Sequence, residues 1–293
     1  KGEPKEFIYE KNKERFEKWA DKIIHVKAYY PSNINDAWGR EKFQRNSFMP
    51  TLYTLGLSDN DVVFISDADE ILNSERVEYI KTSYDLQCVN KMEMTTYFGN
   101  FYNKEITNKW YHPKVVNWGT LKGTTPDNCR LDFNCQWWEN GGWHLTYFGG
   151  AERIANKLEN FAHQEYNKDQ FKNIDHIESS LKEGRDLFGE WRKFERIDPE
   201  KNPDLPKNWM LLHGGEIKTP IKNIYKYKTI KTSSDYLIDL DFNQTNNFLL
   251  KEEDNQNQNQ NKIQNLKNLI KKLNNNSEEN SNVLFTLINP IDE

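Results

Sequence analysis

Apolar positions along residues 11–188 recur with two different periods, and these periods predict a succession of helices and strands. Stretches with apolar residues three or four apart, as in helices, cover 11–20, 36–57, 151–171 and 174–188. Short apolar runs of strand length lie at 23–26 and 62–66, and residues 88–102 and 113–122 also fit strands. The sequence therefore predicts an α/β protein rather than an all-helical or an all-strand one.

The order of the first elements predicts a parallel sheet. A strand at 23–26, a helix over 36–57 and a strand at 62–66 follow one another. Asp36 is a suitable N-cap for the helix, and Pro50 should kink or split it. A strand, a helix and a second strand in this order are typical of a right-handed βαβ unit, whose sheet is covered on both faces.

The last quarter of the chain has a different composition. Residues after about 220 include an Asn/Gln-rich, low-complexity stretch that predicts disorder. Four apolar residues within it have helical spacing and predict one short amphipathic helix: Ile263, Leu266, Ile270 and Leu273. We therefore expect a folded domain over 1–220 and a largely disordered tail over 221–293.

Composition excludes several classes of protein. The net charge of −5 gives no basic stripe for nucleic acid, and no run of about 18 apolar residues is present to span a membrane. Three cysteines are too few for a disulfide scaffold and lack the C-x-x-C spacing of zinc sites. Cys129 and Cys135 are either a pair across a short loop or ordinary thiols.

The strand at 62–66 ends in a cluster of acids within "DVVFISDADEIL". Asp67 and Asp69 follow the carboxyl end of the predicted strand, where α/β proteins bind ligands, and i and i+2 share one side of an extended chain. Two such carboxylates favour Mg²⁺ or Mn²⁺ with a diphosphate. The alternatives are helix capping or a solvated loop, and a D-x-D-x-T phosphatase motif is disfavoured by Ile71.

Other segments accompany the acids in a fixed order. These are KNKERF, DKIIHV, WGREKFQRN, DVVFISDADEI, GGWHLTYFGGAERI and FAHQEY, spread over about residues 5 to 190. Together they resemble glycosyltransferase family 17, whose animal member is β-1,4-mannosyl-glycoprotein 4-β-N-acetylglucosaminyltransferase. The ordered set of segments is far more specific than the D-x-D motif alone.

The resemblance implies a fold and a reaction. The fold is a GT-A type nucleotide-sugar-binding sandwich, which we expect to have a mainly parallel central sheet and to lack its first strand here. The reaction is metal-dependent, inverting transfer of N-acetylglucosamine from UDP-GlcNAc, in β-1,4 linkage, to a mannose-containing acceptor. The implied cofactor is Mn²⁺ or Mg²⁺, and the implied partners are a UDP-sugar donor and a glycan or glycoprotein acceptor.

Candidate ligands for the metal and the donor follow from this resemblance. Asp69 is the first candidate for direct metal ligation, and Asp67 for the metal or the ribose. His144 and His163 are rival candidates for a histidine that binds the metal or the diphosphate. Arg40, Arg45 and Asn46, on the predicted helix before the acids, are candidates for nucleotide binding.

Inverting transfer also requires a general base near the acceptor hydroxyl. Glu152 is the first candidate, because it lies in the first turn of a predicted helix, where an ionised carboxylate is favoured. Glu139 and Glu165 are the alternatives. Three aromatic residues are candidates for stacking on the acceptor: Trp110, Trp143 and Tyr147.

Two further readings compete with catalysis by this fold. One is a non-catalytic module that binds carbohydrate or nucleotide-sugar and derives from a glycosyltransferase, and the other is a Mg²⁺-dependent phosphohydrolase. For a transferase of this family we expect the Golgi lumen or another part of the secretory pathway, reached through an N-terminal anchor outside this sequence. Otherwise we expect a cytoplasmic protein.

Overall fold

The strands of this protein form one mixed β-sheet. The structure is a computed structural model, and it describes residues 7–29, 31, 33–83, 86–189, 191–212 and 284–289. The strands are β1 (Val62–Asp67), β2 (Glu70–Leu72), β3 (Asn90–Phe98), β4 (Asn103–Glu105), β5 (Lys114–Asn117), β6 (Trp137–Thr146), β7 (Phe194–Arg196) and β8 (Leu284–Asn289). Their order across the sheet is β2-β6-β3-β5-β1-β8, and β4 joins β3 to β7.

Short helices surround this sheet. The α-helices in the described residues are α1 (Ile8–Lys11), α2 (Ala37–Asn46), α3 (Met49–Thr54), α4 (Ser74–Ser83), α5 (Trp118–Leu121), α6 (Pro126–Leu131), α7 (Ala151–Asn160), α8 (Asp169–Lys172), α9 (Ile174–Glu183) and α10 (Trp209–Leu212). Segments of 3₁₀-helix lie at Lys13–Lys22, Gln164–Tyr166 and Pro199–Lys201. No helix in the described part of the chain is both long and apolar enough to cross a membrane.

The predicted GT-A type sandwich with a mainly parallel central sheet is wrong. Five of the seven pairings between the described strands are antiparallel: β1 with β5, β2 with β6, β3 with β4, β3 with β5, and β4 with β7. Parallel pairing joins β3 to β6 and β1 to β8. The sheet is therefore mixed and mainly antiparallel.

The error began at the predicted strand 23–26. Residues 23–29 form neither helix nor strand, and Ile24 is 43% exposed. The predicted βαβ unit therefore lacks its first strand, and β1 pairs with β5 in antiparallel register instead. Four apolar residues in a row are compatible with a strand, but a strand forms only where a neighbouring strand has free backbone N–H and C=O groups to pair with.

The predicted helix over 36–57 is confirmed together with its cap and its break. The side chain of Asp36 accepts a hydrogen bond from the backbone N–H of Gly39 at 2.7 Å. The helix ends at Asn46, and α3 then begins with Pro50 in its first turn, where proline has no N–H to leave unpaired. The strand at 62–66 is confirmed as β1, and both of its faces are covered, which explains its uninterrupted apolar sequence.

The predicted helix over 151–171 is correct only in its first half. Ile154 and Leu158 of α7 are buried against Phe98 and Tyr147, as their spacing predicts. The helix ends at Asn160, so Phe161 packs on the same cluster from the following turn.

Glycine permits the central strand β6 to fit between β2 and β3. Gly142 has φ +149°, and a Cβ atom there would lie 2.1 Å from the carbonyl oxygen of Ile71 on β2. This close approach sets β2 against β6 with Glu70 opposite His144. The acidic cluster and His144 therefore lie side by side on neighbouring strands.

The division at residue 220 stays a prediction. Strand β8 falls within the predicted tail, whereas the predicted amphipathic helix of Ile263, Leu266, Ile270 and Leu273 lies outside the described residues.

Cys129 and Cys135 are both free thiols rather than a disulfide.

Candidate functional site

The three acids lie at the turn between β1 and β2. Asp67 is the last residue of β1, Glu70 is the first of β2, and Asp69 occupies the connection. The carboxylate of Glu70 accepts a hydrogen bond from the backbone N–H of Asp67 at 2.5 Å, and the carbonyl of Asp69 accepts one from Leu145 of β6 at 2.7 Å. The turn is therefore fixed at both ends.

Glu70 and Arg130 form a buried ion pair under this turn. Arg130 Nη1 donates to Glu70 Oε2 at 3.0 Å, and Nη2 donates to Oε1 at 2.8 Å and also to Asp67 Oδ2. Trp110 Nε1 donates to Glu70 Oε1 at 2.7 Å. Burial favours a raised pKa of Glu70, but the ion pair and hydrogen bonds with Arg130 outweigh it and lower the pKa.

Arg45 brings α2 to the same site. Its guanidinium donates to Asp127 Oδ1 at 2.5 Å and to Glu41 Oε1 at 2.6 Å, and it lies 3.8 Å from Asp67 Oδ1. Asn46 accepts a hydrogen bond from the backbone N–H of Asp127 at 3.0 Å. Arg45 and Asn46 thus position α6, the helix that carries Arg130, beside the acids.

Arg40 lies on the same helix but on another face. At 100° per residue, its side chain leaves α2 about 140° around the axis from that of Arg45. It is half-buried, and its backbone N–H donates to the carbonyl of Asp36 at 3.2 Å.

His144 and Lys157 approach Asp69 from β6 and α7. His144 Nε2 and Lys157 Nζ each lie 3.7 Å from Asp69 Oδ2. The His144 ring stacks on Trp110 at 4.0 Å between ring centroids, and its Nδ1 lies 3.5 Å from Thr96 Oγ1. Burial lowers the pKa of His144 to about 3, so its imidazole is neutral at pH 7.

The carboxylates of Asp67 and Asp69 are incompletely satisfied. Asp67 Oδ1 and Asp69 Oδ1 are both buried and have no hydrogen-bond donor. Burial raises the pKa of Asp69 to about 6, against the nearby charge of Lys157. Burial and the neighbouring Glu70 likewise raise the pKa of Asp67, although Arg130 and Arg45 act in the opposite direction.

The charges of the site favour an added cation. Five carboxylates meet three cationic side chains there: Asp67, Asp69, Glu70, Asp127 and Glu41 against Arg45, Arg130 and Lys157. Two negative charges are left when all five are ionised. Buried carboxylate oxygens without donors are suitable ligands for a divalent cation, so the residues fit Mn²⁺ or Mg²⁺.

The protein would supply only part of such a coordination sphere. Among the described residues, no group of three or more His, Cys, Asp or Glu side chains is arranged to hold a metal ion. Mg²⁺ is usually bound by one or two carboxylates, with phosphate oxygens and water completing its octahedron. A site of two aspartates therefore suits a cation that arrives with a diphosphate.

Comparison with known proteins assigns the chain to a family. The profile of Glycosyltransferase family 17 matches residues 1–193, which include every residue of the acidic cluster. The chain belongs to this family. No curated protein and no solved structure matches the chain. Membership of family 17 supports an enzyme that transfers a sugar between a donor and an acceptor.

The other candidate histidine of this family 17 protein lies on the surface. His163 Nδ1 is 2.6 Å from Glu165 Oε1, and both side chains are exposed by about half, at 46% and 60%. The His163 ring contacts Trp38 of α2, with ring centroids 4.8 Å apart. The structure thus joins two of the predicted site residues in one exposed pair, apart from Asp67 and Asp69.

The side chains of the remaining candidate bases make no hydrogen bond or ion pair with the acidic cluster among the described contacts. Glu139 is exposed on β6, five residues or about 16 Å along the strand from His144. Glu152 is exposed in the first turn of α7, and helical geometry turns it about 200° from the buried Ile154. Their catalytic roles stay predictions.

The three aromatic candidates all pack within the protein. Trp110 contacts both His144 and His112, at 4.0 and 4.3 Å between ring centroids. Trp143 Nε1 donates to the carbonyl of Asp204 at 2.9 Å, and Tyr147 is buried in the cluster beneath α7. Stacking on an acceptor stays a prediction for each of them.

Three residues of the site did not stand out in the sequence. Lys157 has a readable signal, because it follows Ile154 by three residues and so lies at the edge of the apolar face of α7. A charge on such a face usually meets an opposite charge, here that of Asp69. Arg130 and Asp127 carry no such signal, since α6 is short and reaches the acids only through the fold.

Proposed function

We propose that this family 17 protein is a metal-dependent, inverting glycosyltransferase that moves N-acetylglucosamine from UDP-GlcNAc, in β-1,4 linkage, to a mannose-containing acceptor. The observation that carries the metal-dependent donor site is the pair of buried, donorless oxygens on Asp67 and Asp69. The sugar and the acceptor rest on the likeness of the sequence segments to those of the family.

Asp67 and Asp69 would hold Mn²⁺ or Mg²⁺ at the end of β1. When bound, the cation would offset negative charge on the leaving diphosphate. Arg130 fixes the orientation of Asp67 through Oδ2 and leaves Oδ1 for the ligand. Lys157, 3.7 Å from Asp69, places a second positive charge where the diphosphate would lie.

Transfer with inversion requires removal of a proton from the attacking acceptor hydroxyl. Among the three candidate carboxylates, Glu165 has the most suitable surroundings. Its Oε1 lies 2.6 Å from His163 Nδ1, which holds the carboxylate in place and leaves its other oxygen for the acceptor hydroxyl. The hydrogen bond with His163 lowers the pKa of Glu165, so the carboxylate stays ionised beside the imidazole.

A second candidate function is a non-catalytic module that binds a nucleotide-sugar. It is favoured by the separation of the candidate bases from the acids, since Glu139, Glu152 and Glu165 make no contact with Asp67 or Asp69 among the described contacts. Such a module would bind UDP with metal but would not turn the sugar over.

Calorimetric titration of UDP, with and without Mn²⁺, tests the donor site. We expect binding that requires Mn²⁺, is lost in Asp69→Asn and persists in the control Asp169→Asn, whose side chain is fully exposed. Release of UDP from UDP-GlcNAc in the presence of a mannose-containing glycan then separates enzyme from binding module. Folded protein that binds UDP equally with and without metal would contradict the proposal.

A further inference from the structure

An exposed tryptophan lies on the face of α2 that leads to the acids. Trp38, Glu41 and Arg45 follow one another at i, i+3 and i+7, which places them on one side of the helix. Arg45 reaches Asp67, whereas Trp38 lies seven residues earlier, about 10 Å along the axis. Trp38 is 52% exposed, so part of its indole surface is open to a ligand.

A second element runs from the acids to the same tryptophan. Lys157 of α7 lies 3.7 Å from Asp69, and the helix ends one turn later at Asn160. The chain then turns so that the His163 ring meets Trp38, with centroids 4.8 Å apart and planes at 86°. Two independent elements therefore connect the acidic cluster to one exposed aromatic and polar patch.

The chemistry of this patch suits a sugar ring. A half-exposed indole offers a flat apolar surface to the C–H face of a pyranose. Beside it, His163 and Glu165 present a hydrogen-bonded pair, 2.6 Å apart, whose remaining polar atoms can bind hydroxyl groups. A flat apolar surface next to a few fixed polar groups is typical of small-ligand sites.

We propose that Trp38, His163 and Glu165 form the acceptor subsite and bind a pyranose ring of the acceptor glycan. This inference rests on the proposed function, because it places the acceptor opposite a donor held at Asp67 and Asp69. The offset of about 10 Å along α2 leaves room for the diphosphate and the anomeric carbon between the two.

Uracil of the donor is the other flat ligand that could stack on Trp38. The exposed His163–Glu165 pair beside Trp38 offers hydrogen-bonding groups suited to the several hydroxyls of a sugar ring, which favours the acceptor instead. The two possibilities differ in one measurement, because loss of Trp38 would weaken UDP binding only if the base stacks there.

The test measures two affinities for each variant. Mannose-, N-acetylglucosamine-, galactose- and glucose-containing oligosaccharides are titrated calorimetrically, and UDP is titrated with Mn²⁺. The variants are Trp38→Ala, the conservative Trp38→Phe and the control Trp137→Ala. Trp137 is equally exposed, at 55%, but lies seven residues, or roughly 20 Å along β6, from His144.

We expect Trp38→Ala to weaken oligosaccharide binding at least tenfold and to leave UDP binding unchanged, whereas Trp38→Phe keeps most of the affinity. Trp137→Ala should behave as the wild type. Wild-type oligosaccharide affinity in Trp38→Ala, weaker UDP binding in that variant, or no oligosaccharide bound by folded wild-type protein would each overturn the proposal. Failure of UDP binding in the wild type would instead overturn the donor site.

Discussion

Arg130 and Glu70 form a bidentate ion pair beneath the D-x-D turn, with N–O distances of 2.8 and 3.0 Å. Both side chains are almost fully buried. Neither charge has access to water, so each depends on the other for its stability in the interior. The pair fixes Glu70, and through Arg130 it also fixes Asp67.

Arg130→Ala should therefore destabilise the fold by about 3–5 kcal/mol, because it leaves Glu70 buried without its countercharge. Urea denaturation measures the loss. The control Arg185→Ala removes an exposed arginine that pairs with Glu183, and it should cost less than about 1 kcal/mol.

A double variant separates charge from packing in this pair. Arg130→Met with Glu70→Leu removes both charges, so its stability should exceed that of Arg130→Ala. It should nevertheless lose metal-dependent UDP binding, because Asp67 is no longer oriented. A double variant less stable than Arg130→Ala would show that the hydrogen bonds that Glu70 accepts from Trp110 and from the Asp67 N–H outweigh the cost of its buried charge.

Asp69→Asn should stabilise the metal-free protein at pH 8. The pKa of Asp69 is raised to about 6 by burial, so the folded state holds a proton that the unfolded state releases. The ionised carboxylate thus costs stability above pH 6, and this cost disappears as the pH falls to about 4. Melting temperatures at both pH values measure the effect, and an equal shift at pH 8 and pH 4 would contradict it.

Binding of Mn²⁺ should release a proton near pH 6. The cation needs the ionised form of Asp69, whose pKa is about 6, so affinity should fall up to tenfold for each pH unit below that value. Mn²⁺ is titrated without UDP, since phosphate groups also titrate near pH 6. Buffers of different ionisation enthalpy reveal the released proton, and identical heats in all of them would refute it.

His144 should make the protein sensitive to acid. Burial lowers its pKa to about 3, so the unfolded chain takes up a proton below pH 6.5 that the folded protein does not. Its contribution to stability is full above pH 6.5 and is lost as the pH falls towards 3. The stability of the wild type relative to His144→Gln should therefore fall between pH 7.5 and 5.5.

The control for this prediction is His163→Gln, which removes an exposed histidine. Urea denaturation at pH 7.5, 6.5 and 5.5 gives the three differences needed for each variant. A pH-independent difference between the wild type and His144→Gln would mean that burial does not change the pKa of the ring, and this would contradict the prediction.

Gly142→Ala should separate β2 from β6. A Cβ atom would lie 2.1 Å from the carbonyl oxygen of Ile71, and φ +149° is unfavourable for alanine. We expect a loss of about 2 kcal/mol or more, together with weaker metal-dependent UDP binding. Gly123→Ala is the control, because its Cβ would meet only an ordinary contact at 3.5 Å and its φ lies outside the left-handed region. Equal stability of the two variants would exclude the close approach.

Local patterns sufficed for much of this protein. The sequence by itself determined α2 with its Asp36 cap, the break at Pro50, the buried strand β1 and the apolar face of α7. Each depends on residues within about two turns or on one strand, so sequence spacing carries it directly. The six short segments that resemble family 17 are likewise recognised from residues close together in the chain.

Only the tertiary structure decided the sheet and the surroundings of the acids. Strand direction depends on which backbones meet, and residues 23–26 fit a strand in composition but pair with no strand among the described residues. Arg130 reaches Asp67 from 63 positions away, and Trp38 meets His163 across the fold. Such pairs are set by the packing of whole elements, which no local spacing of residues encodes.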